Sequence, residues 1–158
     1  MKKLFITLIL FGITNVYAES GEYTISSVCD YAKSAIDTNN KTVMALNFKC
    51  IGTIIKSDSD LFKVGENFYG NAITSIVKTN KGINLSSYST ISSANNSNDL
   101  MFGEGSRKAG DIKSGGKGKS VIVGGTGKYS GIKAECEYVA KYHPNNKSSL
   151  ISECVFTK

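Results

Sequence analysis

The four cysteines sit symmetrically about two turns, and that symmetry limits the possible folds more than any other feature of the chain. Near the C-terminus, Ile132, Ala134, Cys136, Tyr138 and Ala140 alternate with Lys133, Glu135, Glu137, Val139 and Lys141. A break at His143-Pro144-Asn145-Asn146-Lys147 follows, and Leu150, Ser152, Cys154 and Phe156 resume the same period. Two-residue alternation on both sides of a turn-rich break predicts a β-hairpin. Centring the turn on Asn145 sets Cys136 opposite Cys154, Ala134 opposite Phe156 and Ala140 opposite Leu150, all on one face. The first two cysteines behave alike. A two-residue turn at Asn39-Asn40, closed by a hydrogen-bonded Thr38 and Lys41, sets Cys29 opposite Cys50 in a non-hydrogen-bonded pair, where side chains lie closest. Met44, Leu46, Phe48, Cys50 and Ile54 then form one apolar face, with Tyr31 opposite Phe48. We therefore expect Cys29–Cys50 and Cys136–Cys154 bridges. A rival exists for residues 27–38. Val28, Tyr31, Ala32, Ala35 and Ile36 have helical spacing, Ser27 with Asp30 resembles a capping box, and a strand would put Lys33 opposite Leu46. The strand is preferred, and the helix stays open.

An even number of cysteines suits an oxidising compartment, and the N-terminus says how the chain gets there. Met1-Lys2-Lys3 precedes an apolar run from Leu4 to Ile13, and Val16 and Ala18 are the small residues of a cleavage site. Residues 1–18 are thus expected to be a signal peptide and 19–158 a single domain, secreted or periplasmic. The apolar run is too short to span a bilayer, which needs about twenty residues, and no transmembrane segment is expected later. Losing the leader removes two lysines and no acid, so the formal charge falls from +6 to +4. One histidine, His143, and no paired cysteine motif leave no metal site, and no cofactor is expected.

Further strands are expected at Phe68 to Thr79, Ile83 to Ser92, Leu100 to Gly105 and Ser120 to Val123. Ten of the sixteen glycines lie between Gly103 and Gly131, where apolar strand residues interrupt them, which fits turns and kinks rather than a linker. Short strands with a single proline in the chain predict an all-β antiparallel barrel or sandwich. Within the glycine-rich section runs Val121-Ile122-Val123-Gly124-Gly125-Thr126-Gly127-Lys128-Tyr129-Ser130-Gly131-Ile132. A phosphate-binding loop would need Ser or Thr after the lysine, and Tyr129 stands there. A strand–turn–strand with Tyr129 packed back on the rim is the better reading.

That stretch, with Cys50-Ile51-Gly52 and Asn98-Asp99-Leu100-Met101-Phe102-Gly103-Glu104-Gly105, resembles the small bacterial secreted proteins related to the allene oxide cyclase barrel. The resemblance is closest over Gly103 to Tyr138. It implies an eight-stranded antiparallel up-and-down barrel of calycin or dirigent style, with a central cavity. The plant enzymes of the wider group cyclise a fatty-acid epoxide, but no motif here carries their cavity residues, so no catalytic residue is assigned.

Function then rests on two features. One is the implied cavity, which suits non-enzymatic binding of a small apolar or amphipathic ligand, with an isomerase or cyclase as the alternative. The other is charge. Arg107, Lys108, Lys113, Lys117, Lys119, Lys128 and Lys133 face a single acid, Asp111. From these, Arg107, Lys117, Lys119, Lys128 and Tyr129 are the candidates for meeting an anionic envelope component, weighed against a lysine-decorated strand edge that merely deters aggregation. Nucleic acid is not an expected partner, because Tyr129 is the only aromatic in the segment.

Overall fold

The structure is a computed structural model that describes residues 18–108 and 114–158. Residues 1–17 of the expected leader, and Asp111 and Lys113 of the basic segment, lie outside the described residues.

Alternating sequence becomes eight strands: β1 (Ser20–Asp37), β2 (Lys41–Ser57), β3 (Asn67–Thr79), β4 (Gly82–Ser93), β5 (Leu100–Arg107), β6 (Gly115–Gly125), β7 (Lys133–His143) and β8 (Lys147–Thr157). Each pairs antiparallel with the next, and β8 pairs with β1, so the sheet closes into an up-and-down barrel. Closure leaves no free edge around the barrel's waist, which removes the aggregation hazard of an open sheet. Both expected registers are present. Cys136 faces Cys154, with Ala134 opposite Phe156 and Ala140 opposite Leu150. Cys29 faces Cys50, with Tyr31 opposite Phe48. Both pairs are bridged, with Cα atoms 4.0 and 4.1 Å apart. Asn145 and Asn146 turn the last hairpin with φ of 60° and 56°, a region asparagine enters more readily than other side chains.

Residues 27–37 are strand throughout, and the helical reading is set aside. Local helical spacing loses to pairing on two edges, with β2 out to Asp37 and with β8 out to Asp30. Lys33 does face Leu46, but β1 has by then run past the end of β8, and Lys33 is exposed. β6 begins at Gly115, five residues before the expected Ser120. The early turn is glycine's doing. Gly115 has φ +110°, and a Cβ there would lie 2.0 Å from the Ala140 carbonyl oxygen, so the chain can enter the sheet at that point only with no side chain.

Inward side chains gather at the two ends of the barrel. At the lower end, where Glu19 meets Lys158, Tyr23, Phe68, Phe156, Tyr129 and Ile132 pack around Phe62, which the β2–β3 connection inserts as a plug. At the upper end Met44, Leu46, Ile76 and Leu85 form a second cluster, with Tyr31 and Phe48 against it. Among the described residues, no helix is long and apolar enough to cross a membrane.

Candidate functional site

Between the two clusters the inward positions are small. Gly52, Gly70, Ala72, Gly103 and Gly105 alternate with outward residues on β2, β3 and β5, and Ser87, Ser89, Ser120 and Ser152 continue the ring on β4, β6 and β8. Strand number sets the width of an eight-stranded barrel, so small residues leave the middle unfilled. The result is a cavity of about 220 Å³. Both disulfides form part of its wall, with Ile25, Ile91, Met101 and Ile122, and its floor is Phe62. Several hydroxyls near it are already engaged. Thr74 Oγ1 donates to Ser87 Oγ at 2.8 Å, Ser89 Oγ to the Gly103 carbonyl at 3.3 Å, and Tyr138 Oη to the Ser106 carbonyl at 3.3 Å. What remains facing inward is mostly apolar.

Tyr138 and Tyr142 line the cavity towards the upper end. Arg107 stands beside them, 2 % exposed, with its guanidinium carbon 5.8 Å from the centre of the Tyr142 ring. Burial raises the pKa of both phenols, and the nearby Arg107 charge partly offsets that rise. Arg107 Nε and Nη2 are buried and have no hydrogen-bond partner.

The distinctive glycine-rich stretch lies at the other end and is a latch. Lys128 Nζ binds Glu66, a buried carboxylate that also accepts a hydrogen bond from Ser93 Oγ at 3.1 Å. The Lys128 backbone N–H donates to Asp99 Oδ1 at 3.0 Å, and Thr126 Oγ1 donates to the Asn98 carbonyl at 2.6 Å. These contacts tie the β6–β7 connection to the loops before β3 and β5. Tyr129, fully buried, stacks on Phe62 with ring centres 5.4 Å apart. It does pack back on the rim.

The five residues expected to meet an anion therefore do not gather on one surface. Arg107 is interior near the upper end, whereas Lys128 and Tyr129 are engaged at the lower end. Lys117 and Lys119 lie exposed on the outer face of β6, and Lys119 pairs with Glu137 at 3.5 Å. A charge count along the chain ignores which way each residue faces, and here the facings diverge. Reading Gly103, Gly105 and Arg107 as one inward row would have found the arginine, and the rows of small residues would have revealed the hollow. His143 is exposed at the end of β7, its Nε2 2.9 Å from Ser149 Oγ. Among the described residues no carboxylate hydrogen-bonds the other ring nitrogen, so the orienting third group of a hydrolytic triad is missing there.

The interior phenols set an alkaline limit on the fold. Burial pushes Tyr23 and Tyr129 far above the usual phenol value of 10.0, and the negative charges of Glu66 and Asp99 add to the effect at Tyr129. The unfolded chain ionises at ordinary phenol pKa values while the folded one stays protonated. Stability from this source is complete below about pH 10 and is lost as pH rises beyond it, by up to about 1.4 kcal/mol per pH unit for each such tyrosine. Urea midpoints measured from pH 9 to 11.5 should hold level and then fall. Tyr129→Phe should make the fall shallower while Tyr23 keeps its onset near pH 10, and an unchanged slope would remove Tyr129 from this account.

No known family's sequence profile matches the chain, and no curated protein matches it. Among solved structures, the pterocarpan synthase dirigent protein aligns over 98 % of this chain and 96 % of its own, at 14 % identity and a TM-score of 0.46.

Proposed function

We propose that this is an exported, disulfide-stapled carrier that binds a small apolar or amphipathic molecule in the barrel's central cavity without transforming it. The observation behind the reading is the cavity itself. An interior of about 220 Å³ is left open by glycines and serines in a barrel that carries an apolar cluster towards each end. Emptiness of that size forfeits dispersion contacts that larger side chains would supply, at about 24 cal/mol per Å³ in measured core truncations. A ligand restores those contacts. Export fits the same picture, since bridged cysteines suit an oxidising compartment and the leader-like N-terminus supplies the route. Kinship with the barrels related to allene oxide cyclase belongs to this proposal. A cyclase working in the cavity is the second reading. It ranks lower because burial moves the cavity-lining phenols Tyr138 and Tyr142 upward, away from the range useful for proton transfer at neutral pH.

Filling the cavity tests the carrier. A Cβ at Gly70 would touch only Cys50 Cβ, at 3.5 Å, so Gly70→Leu can grow into the open space. The variant should fold with a melting temperature at or above the parent's. It should lose at least about tenfold in affinity for octan-1-ol by titration calorimetry, because the ligand's volume is taken. Unchanged octanol affinity in a folded Gly70→Leu protein would move the binding site elsewhere. Mass spectrometry of protein exported by its own leader adds two checks: a mature chain starting at Glu19, and a non-covalent mass that leaves on denaturation.

A further inference from the structure

We propose that Arg107 receives the head group of the cavity's ligand, and that this head group is a carboxylate. The ligand class is then a monocarboxylate with an apolar tail. This inference rests on the carrier reading above and deepens it.

Arg107 is the only arginine in a chain whose other eighteen basic residues are lysines. Among the described residues it is also the charged one drawn furthest inside, at 2 % exposure. It sits at the end of β5 opposite Leu85, on the same inward row as the cavity-lining Gly103 and Gly105. The unpartnered atoms are informative. Nε and Nη2 share one edge of the guanidinium, and their N–H bonds run parallel in the fork that matches the two oxygens of a carboxylate. A lysine ammonium could supply the charge but not the fork.

A buried cation without an anion costs several kcal/mol, which the rest of the fold must offset. Arg107 takes part in none of the ion pairs of the described residues; the interior Glu66 is held by Lys128 at the other end of the barrel. On β5 itself, Glu104 is exposed on the opposite face, and Lys108, just past the strand's end, is exposed too. The groups beside the guanidinium are the phenols of Tyr138 and Tyr142, and both line the cavity. An anion that enters with its tail in the cavity would find the unpaired fork at that end, beside the Tyr142 ring; the Tyr138 hydroxyl is already given to the Ser106 carbonyl. The apolar wall takes the tail.

Three eight-carbon probes separate head group from tail: octanoate, octan-1-ol and octylamine, titrated by calorimetry at pH 7.5 and low salt. The parent protein should bind octanoate at least about tenfold more tightly than octanol, and octylamine most weakly, as expected for hydrogen bonds to a buried charge. Arg107→Met, similar in length and uncharged, should bring octanoate down to octanol's affinity or below while leaving octanol unchanged. Arg107→Lys should keep part of the preference. Equal affinity of the parent for octanoate and octanol overturns the head-group assignment and leaves the carrier standing. No binding of any probe overturns both. The parent's own preference is readable even where a variant fails to fold. Asp111 is the remaining carboxylate near Arg107 in sequence, so Asp111→Asn completes the test. It should leave the octanoate affinity within about threefold. A gain of tenfold or more would mean that Asp111 holds the guanidinium in the ligand-free protein, against the proposal.

Discussion

Reducing both disulfides should lower the melting temperature by about 20 °C. The bridges close separate loops, with sequence separations of 21 for Cys29–Cys50 and 18 for Cys136–Cys154. Loop-closure entropy gives each about 3 kcal/mol, drawn from the freedom the unfolded chain would otherwise have. The loops do not overlap, so the two effects should add. A loss of about 6 kcal/mol in a domain of this size corresponds to a shift of that order. Position adds a second consequence. The stapled hairpins are β1–β2 and β7–β8, and they meet at the β1–β8 pairing where the barrel closes. That pairing joins the first strand to the last and carries the longest loop-closure cost of any pairing in the barrel. Covalent hairpins on both sides present the closing β1–β8 pairing with two preformed partners. Refolding of the reduced protein should therefore slow as well as weaken. The check is thermal melting with and without reductant, with free thiols counted to show that all four cysteines were released. A shift under about 5 °C with all four thiols free would mean that the reduced chain stays compact enough to hide the entropy.

Pairings between chain neighbours were legible wherever two independent signals agreed. Period-two alternation alone gives strands, and the turn residues at Asn39-Asn40 and Asn145 give registers. The cysteines then test each register. The segment from Val28 to Ile36 was ambiguous because it carries helical spacing and alternation together, and only its partners on both sides decide between them. Barrel closure left no local mark, because the contact of Tyr23 with Cys154 joins opposite ends of the sequence. The plug was hidden for a different reason. Leu61-Phe62 lies between polar turn residues, in a stretch that reads as surface loop, yet Phe62 has no exposure at all. An apolar pair stranded in a polar connection is the signal that was there to use. The site was half legible. An eight-stranded barrel has a lumen, but its hollowness depends on which inward positions are small, and that follows only once the facing of every strand is known. Arg107 shows the cost of reading charge without facing: counted with its neighbours it joins a basic segment, whereas placed in its row it is interior.

Phe62→Ala should be the most damaging single substitution in the lower half of the barrel, costing about 3–5 kcal/mol. The ring is held on several sides. It stacks on Tyr23 with centres 4.0 Å apart and on Tyr129 at 5.4 Å, and it meets the edge of Phe156 at 5.1 Å. Removing it strips the central member from an aromatic stack, and the strands around it are too constrained by closure to collapse into the gap. Phe62→Leu keeps most of the volume and should cost clearly less. The same ring is the cavity's floor, so the substitution has an effect on binding opposite to its effect on stability. With the plug gone, the lumen deepens towards Phe156 and Tyr129, and a longer tail fits. In a ligand series from octanoate to dodecanoate, Phe62→Ala should shift the best-bound chain length upward, while Gly70→Leu should weaken every member. Urea denaturation reads the first effect, and calorimetry below the unfolding midpoint reads the second. A destabilised Phe62→Ala protein with the parent's chain-length preference would mean that Phe62 supports the fold without bounding the binding site. The floor would then have to be set higher, at the level of the Cys136–Cys154 bridge.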